Sequence, residues 1–198
     1  MTEQTTDARL RSDARRNRRT VLDAAVALLA QRPQATMQEV ADVSGLGRTT
    51  VYRHFPRRQD LIDALFEEVL SEAAGTIAEA LRTASSAREL LRDLGPRFIA
   101  IGDRYRFIDA HPDLRERALN PAEEVANPLA AYLTAAQARG DLREDVPIMW
   151  ILTSLRGLGV VAMVEVNAGR MTVEEAGRYV GETCASAFAP LPLRRASG

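Results

Sequence analysis

The chain is 198 residues long and sets 26 basic against 27 acidic side chains, for a formal net charge of −1. With 46% hydrophobic and 27% charged residues, its composition is that of a folded protein of one or two domains and excludes a disordered chain. One cysteine, Cys184, excludes an intrachain disulfide and argues against a thiolate zinc site; every basic residue is arginine, which excludes lysine Schiff-base and P-loop chemistry.

The N-terminal 19 residues are polar and lack the apolar core of a secretory signal. No run approaches the roughly 18 apolar residues of a membrane span, so a cytoplasmic protein without a membrane partner is expected. Charge is unevenly placed: residues 1–60 hold 11 arginines and seven acids, a net of +4, and the remainder has a net of −5. Arg9, Arg11, Arg15, Arg16, Arg18 and Arg19 crowd the start. Such a run is either a solvated tail or an arm for phosphates. The pattern of residues 20–60 favours the arm.

Val21, Leu22, Ala25, Leu28 and Leu29 predict one apolar face of a helix from about Ser12, its N-cap, to Gln31, ended by Pro33. Thr36 stands three residues before Glu39, a capping box that opens a short helix with Val40 and Ala41 inward. Ser44-Gly45 stops it, because glycine takes the left-handed turn conformation. A second short helix spans about Arg48 to His54, with Val51 and Phe55 inward and Pro56 after it. Two short helices joined by a glycine turn behind a longer one describe a helix-turn-helix, whose second helix enters the DNA major groove. Its outward residues Arg48, Thr49, Thr50, Tyr52, Arg53 and His54 include no acid. Arg48, Thr49 and Thr50 are assigned to base edges; Tyr52, His54 and Arg58 are assigned to phosphates, with Thr36 joining them at its helix start.

Leu61, Ile62, Leu65, Phe66, Val69 and Leu70 predict a fourth helix running past Ile77. Ser86 caps the next, through Leu90, Leu91, Leu94, Phe98 and Ile101, where Gly95-Pro96 predicts a kink or interruption. His111-Pro112 and Asn120-Pro121 bracket a short helix with Leu114 and Leu119. Another follows over 121–139 with Val125, Leu129, Leu133 and Ala136 inward and a kink or split at Pro128. Residues 147–167 and 172–188 are the last two helices, the first apolar nearly all round. In the second, Gly177, Gly181 and Ala185 form a small-residue stripe beside Val173, Ala176, Val180, Cys184 and Phe188. That stripe serves close approach either of a second chain's helix or of a helix of the same chain. The fold expected is all-α with about nine helices: a DNA-binding domain over 1–60 and a second helical domain over 61–198.

Catalytic chemistry is not assembled. Gly157-Leu158-Gly159-Val160-Val161-Ala162 matches a dinucleotide fingerprint in letters, but it lies inside a predicted helix with no strand before it. No histidine pair has metal-ligand spacing, His111 reads as a cap or surface residue, and Cys184 reads as a core thiol. Trp150 is either core, interface or a ligand wall; Glu165 is either an interface contact or a pocket group. No enzyme, metal or cofactor is expected. The alternative, a cofactor-binding or enzymatic helical protein with an incidental basic N-terminus, is disfavoured by Tyr52-Arg53-His54-Phe55.

Residues 18–65 resemble the DNA-binding domain of the tetracycline-repressor (TetR) family. The likeness rests on Val21-Leu22-Asp23-Ala24-Ala25 with Leu28-Leu29, on Thr36-Met37-Gln38-Glu39-Val40-Ala41, on Ser44-Gly45-Leu46-Gly47, and most specifically on Thr50-Val51-Tyr52-Arg53-His54-Phe55-Pro56-Arg57-Arg58 with Leu61. It departs at Arg58, where the family usually has lysine. The resemblance implies a homodimer that represses transcription from a palindromic operator until a small molecule binds its second domain. It places the dimer interface on the last two helices, at Ile151, Leu155, Leu158, Ala162, Gly177, Gly181, Cys184, Ala185 and Phe188. A largely apolar effector is expected against Phe98, Ile101, Tyr105, Tyr132, Met149, Trp150 and Thr153.

Overall fold

In the computed structural model, residues 2–119 and 123–191 are described. They contain nine α-helices and no strand. The chain divides into two compact units. The first comprises the chain up to Val69 together with Arg104–Leu114. The second comprises Leu70–Asp103 and the chain from Arg115 onward.

The first unit opens with α1, Thr2–Gln31, which starts ten residues before the expected Ser12 cap. The side chains of Arg9 and Arg11 lie outside those described. Val21, Leu22, Ala25 and Leu29 of α1 are at most 1% exposed, so the predicted face is the buried one. Helices α2 (Met37–Ser44) and α3 (Arg48–His54) pack against it and each other. Met37, Val40, Ala41, Val51 and Phe55 fill the space between. Helix α4 (Arg58–Thr83) adds Leu61, Ile62, Leu65 and Phe66 from its first two turns. Full burial of a Val, Leu, Ile or Phe side chain contributes about 1.5–3 kcal/mol each, enough to order a packet this small. A single 3₁₀ turn, Arg106–Ala110, lies against α1. Its Phe107, and Leu114 just after it, are fully buried.

The second unit holds α5 (Ala87–Arg104), α6 (Pro112–Leu119), α7 (Glu123–Ala138), α8 (Ile148–Asn167) and α9 (Val173–Ala187), with α5 and α6 crossing the boundary at their ends. Side chains of α7 before Pro128, including the expected inward Val125, lie outside those described. The Ser86 cap forms: its hydroxyl accepts from the Glu89 N–H at 3.2 Å. Thr172 and Glu175 make a second capping box that starts α9. Both Pro96 and Pro128 sit inside continuous helices, so neither splits its helix as the sequence allowed. Leu90, Leu91, Leu94, Leu133, Ile151, Leu155, Val180 and Cys184 belong to one apolar core.

Helix α8 has 20 residues and a mean hydropathy of 1.5. By length and composition it is apolar enough to cross a membrane, which corrects the expectation that no segment is. One face, carrying Ile151, Leu152, Leu155, Ala162, Met163 and Val166, is buried in the unit, where α8 packs on α9 and α7.

Candidate functional site

The α2–turn–α3 segment is fixed by local chemistry. Thr36 donates its backbone N–H to Glu39 Oε2 at 2.7 Å and accepts from the Glu39 N–H at 3.3 Å. The Thr36 N–H, and after it the Thr36 hydroxyl that donates to the same oxygen, hold the Glu39 carboxyl below the usual range. Gly45 closes α2 at φ 69, where a side chain would be strained. Val51 and Phe55 then anchor the inner side of α3. Positions i, i+1, i+4 and i+5 consequently form the outer face: Arg48, Thr49, Tyr52 and Arg53 are all exposed, with Thr50 half-buried on the flank. This short helix has two cations and no acid, a surface that a polyanion can approach without repulsion.

Four expectations change. His54 turns to the flank, with its Nε2 sealed from solvent and unpartnered. Burial first, then the charges of Arg53 and Arg18, push its pKa below 6.5. The ring packs beside Phe55, with centres 6.5 Å apart, in place of the phosphate contact assigned to it. Arg18 stacks over that Phe55 ring at 5.4 Å, an attraction between cation and π-face that the sequence did not disclose.

Arg58 is likewise turned inward. Its Nη2 donates to the Pro33 carbonyl at 2.6 Å and its Nε to that of Ala35 at 3.3 Å. Its Nη1 lies 3.5 Å from His111 Nε2. The other ring nitrogen, Nδ1, is 2.7 Å from the Phe107 carbonyl. A carbonyl only accepts, so Nδ1 carries the proton and Nε2 can accept from the arginine. Arg58 therefore ties the α1–α2 turn to α4 and to the 3₁₀ segment, and the phosphate role is withdrawn. Thr36 follows the same logic, since its hydroxyl donates to Glu39 Oε2 at 3.0 Å. Arg19 of the arginine cluster is held by Asp23 and Glu68, at 2.9 and 2.7 Å.

In the second unit the expected ligand-lining residues are not gathered. Tyr105 falls in the first unit, edge-on to Phe107. Ile101 is buried, and Phe98 and Tyr132 pack on the core. Met149 and Trp150 are each 59% exposed. Of the seven, Trp150 and Thr153 share a cavity of about 430 Å³ with Val146, Leu158, Cys184 and Phe188, and Arg143 stands at its wall. That arginine is bonded to both oxygens of Asp145.

The small-residue stripe is resolved in favour of the same chain. A Cβ on Gly177 would lie 2.6 Å from Pro96 Cα, and one on Gly181 would lie 3.0 Å from the Arg92 carbonyl carbon. A Cβ on Gly95 would lie 2.6 Å from Gly181 Cα. Helices α5 and α9 thus touch backbone to backbone. Pro96 supplies no N–H, so the Arg92 carbonyl lacks its helical donor, and Gly181 is the residue that approaches it. Gly177 and Gly181 are buried in this contact, and Ala185, Cys184, Phe188, Ile151, Leu155 and Ala162 are buried within the same unit. These eight are corrected from interface to core; Leu158 stays half-buried. Burial pushes the Cys184 thiol up to about 11, so it is inert. Glu165 is bonded twice to Arg170, at 2.6 and 2.8 Å.

What α8 leaves uncovered is a second stripe: Trp150, Gly157, Val161 and Val164, spaced i, i+7, i+11 and i+14, with both valines at least half exposed. The sequence signal was present in a helix apolar all round, but periodicity cannot say which side the chain itself covers. Among the described residues no His, Cys, Asp or Glu cluster could hold a metal.

Residues 21–65 match the profile of bacterial regulatory proteins of the tetR family. The chain is 38% identical over 99 residues to the HTH-type transcriptional repressor LfrR of Mycolicibacterium smegmatis, a match covering 46% of this chain and 52% of that repressor. It therefore spans about half the length of this relative. The solved structure of LfrR from Mycobacterium smegmatis in complex with proflavine is similar at a TM-score of 0.65 and 25% identity, over 89% of this chain and 99% of that one. A TetR family transcription regulator from Marinobacter aquaeolei matches in fold at 0.65 and 19% identity, over 92% and 100%.

Proposed function

We propose that this chain is a member of the tetR family of bacterial regulatory proteins, a cytoplasmic, ligand-responsive repressor that holds a palindromic operator as a homodimer; the family profile over residues 21–65 and the likeness to the LfrR repressor support this reading. The observation that carries this reading is the outer face of α3, where Arg48, Thr49, Tyr52 and Arg53 stand exposed on a helix without acids. Arg48, Thr49 and Thr50 read base edges; Tyr52 and Arg53 take phosphates; Thr36, His54 and Arg58 position the motif from behind. The DNA-binding module in this reading is the first unit, up to Val69 with Arg104–Leu114, in place of the expected cut at residue 60, and the second unit is the effector and dimerisation module.

The second copy docks on the uncovered stripe of α8 at Trp150, Gly157, Val161 and Val164. Exposed apolar side chains in a row are what an isologous interface buries. A small, largely apolar effector binds the second unit. It shifts the protein off DNA only to the extent that it prefers one of two states. No step of this activity needs a catalytic group, and the protein is not an enzyme in this reading.

The test is an electrophoretic mobility shift on DNA upstream of the protein's own gene, repeated over a salt series. Specific retardation with a steep salt dependence is expected. Equal retention of unrelated DNA sinks the regulator reading.

A further inference from the structure

Arg156 is the only charged residue between Ile148 and Val164, in the middle of the most apolar helix of the chain. It is not placed like four other arginines of its unit. Arg92, Arg97, Arg143 and Arg170 each have a carboxylate oxygen within 2.6–2.8 Å. Arg156 has none. Among the described residues its bond is a long 3.5 Å contact from Nη2 to Thr153 Oγ1, and its Nε is sealed from solvent without a partner there. Burial pushes its pKa down. A half-buried, unpaired guanidinium is an unfavourable arrangement that an incoming anion relieves.

A second observation points to the same place. Leu152, Arg156, Gly159 and Met163 lie at i, i+4, i+7 and i+11, one stripe of α8. Leu152 and Met163 are buried at its ends, and Met163 closes on α5, where a Cβ on Gly102 would lie 3.1 Å from Met163 Cγ. Between them, a Cβ on Gly159 would meet nothing within 4 Å. The stripe is therefore closed at both ends and open beside the arginine.

Resting on the repressor reading above, we propose that Arg156 is the anion receptor of the effector site, and that the effector is an amphipathic acid. Its apolar body lies in the room at Gly159 between Leu152 and Met163. Its carboxylate takes the planar fork of Arg156, assisted by the Thr153 hydroxyl. A neutral or cationic ligand in that place leaves the guanidinium unpaired, so the site discriminates by charge as well as by shape.

The experiment follows the fluorescence of Trp150, the single tryptophan, at pH 7.5. Decanoate and 1-naphthoate are titrated, each beside its own primary amide. The wild-type protein is expected to bind at least one acid tenfold or more tighter than its amide. Arg156→Met should abolish that preference while raising the melting temperature, because a buried unpaired charge is removed. Arg156→Lys should keep part of the preference, since the charge remains and the fork does not. Equal affinity for acid and amide, no binding of either acid, or a preference surviving in Arg156→Met overturns the proposal. So does a change of oligomeric state in Arg156→Met, which makes the arginine an interface group. Operator binding without ligand is measured in parallel. Its absence sinks the repressor reading, whereas intact operator binding with no acid preference sinks the receptor alone.

Discussion

Replacing Gly177 by alanine adds one methyl group, and the structure says where it goes: 2.6 Å from Pro96 Cα, and 3.2 Å from Pro96 Cβ. Carbon atoms rest at about 3.5–4.0 Å, so α5 and α9 must part by about 1 Å. Neither side can give way by turning a side chain, because the obstacle is the backbone of α5. Overpacking a filled core costs typically 1–3 kcal/mol, and a backbone obstacle belongs at the upper end. Alanine recovers about 0.5–1 kcal/mol of helix propensity over glycine, which leaves a net loss of about 2 kcal/mol. In a chain of this size that lowers the melting temperature by roughly 4–8 °C, read by circular dichroism at 222 nm. Gly75, on α4, provides the control, because a Cβ there meets nothing within 4 Å. Gly75→Ala should therefore stabilise the protein by about 0.5–1 kcal/mol. If both variants shift upward together, the backbone contact between α5 and α9 is not real.

Arg48→Ala should cost about 1–3 kcal/mol of operator affinity and relax preference at one base pair; competition with single-base operator variants would show an unchanged profile if Arg48 reads no base. Arg58→Met removes charged hydrogen bonds to two carbonyls and should cost roughly 1.5–3 kcal/mol of stability. It should leave the salt slope of DNA binding unchanged, whereas Arg53→Ala should lower that slope by about one. Val161→Glu places a charge in the exposed stripe of α8 and should give monomers by light scattering; a dimer of ordinary affinity would move the interface elsewhere. The His54 ring has a depressed pKa in the folded protein, so above pH 6.5 it is neutral in both states. As pH falls below that, the unfolded chain takes up the proton first and stability declines towards the lower folded value. His54→Asn should flatten this decline in melts between pH 7 and 5; an equal slope in the variant would refute it.

The helix-turn-helix was legible because its signals are local. A capping box operates over three residues and a glycine turn over one, and both appear in the fold where the letters place them. The apolar face of α1 was equally plain. The glycine stripe of α9 was read correctly as a surface for close approach, but its partner was not. Spacing along one helix carries no information on which other helix arrives. The ligand-facing residues failed for the same reason, compounded by Pro96 and Pro128, which the helices absorb without a break. His54 was assigned outward as a side chain of the short helix and Arg58 from its place in the family motif, yet Arg58 meets carbonyls of the α1–α2 turn and His111, and His54 meets the Phe55 ring. Arg156 was legible only as a lone charge in an apolar run; its missing partner is a fact of three dimensions.

The return of Arg104–Leu114 to the first unit bears on how such proteins are recombined. A hybrid regulator made by joining residues 1–60 to a foreign effector module carries α1–α3 but leaves behind Phe107, which is fully buried against its surroundings there, and His111, which meets Arg58. The graft therefore transplants a reading head with an open seam. The natural cut is discontinuous: a transferable head needs the stretch up to Val69 and the 104–114 segment together, or a recipient whose own returning segment supplies an aromatic in the place of Phe107.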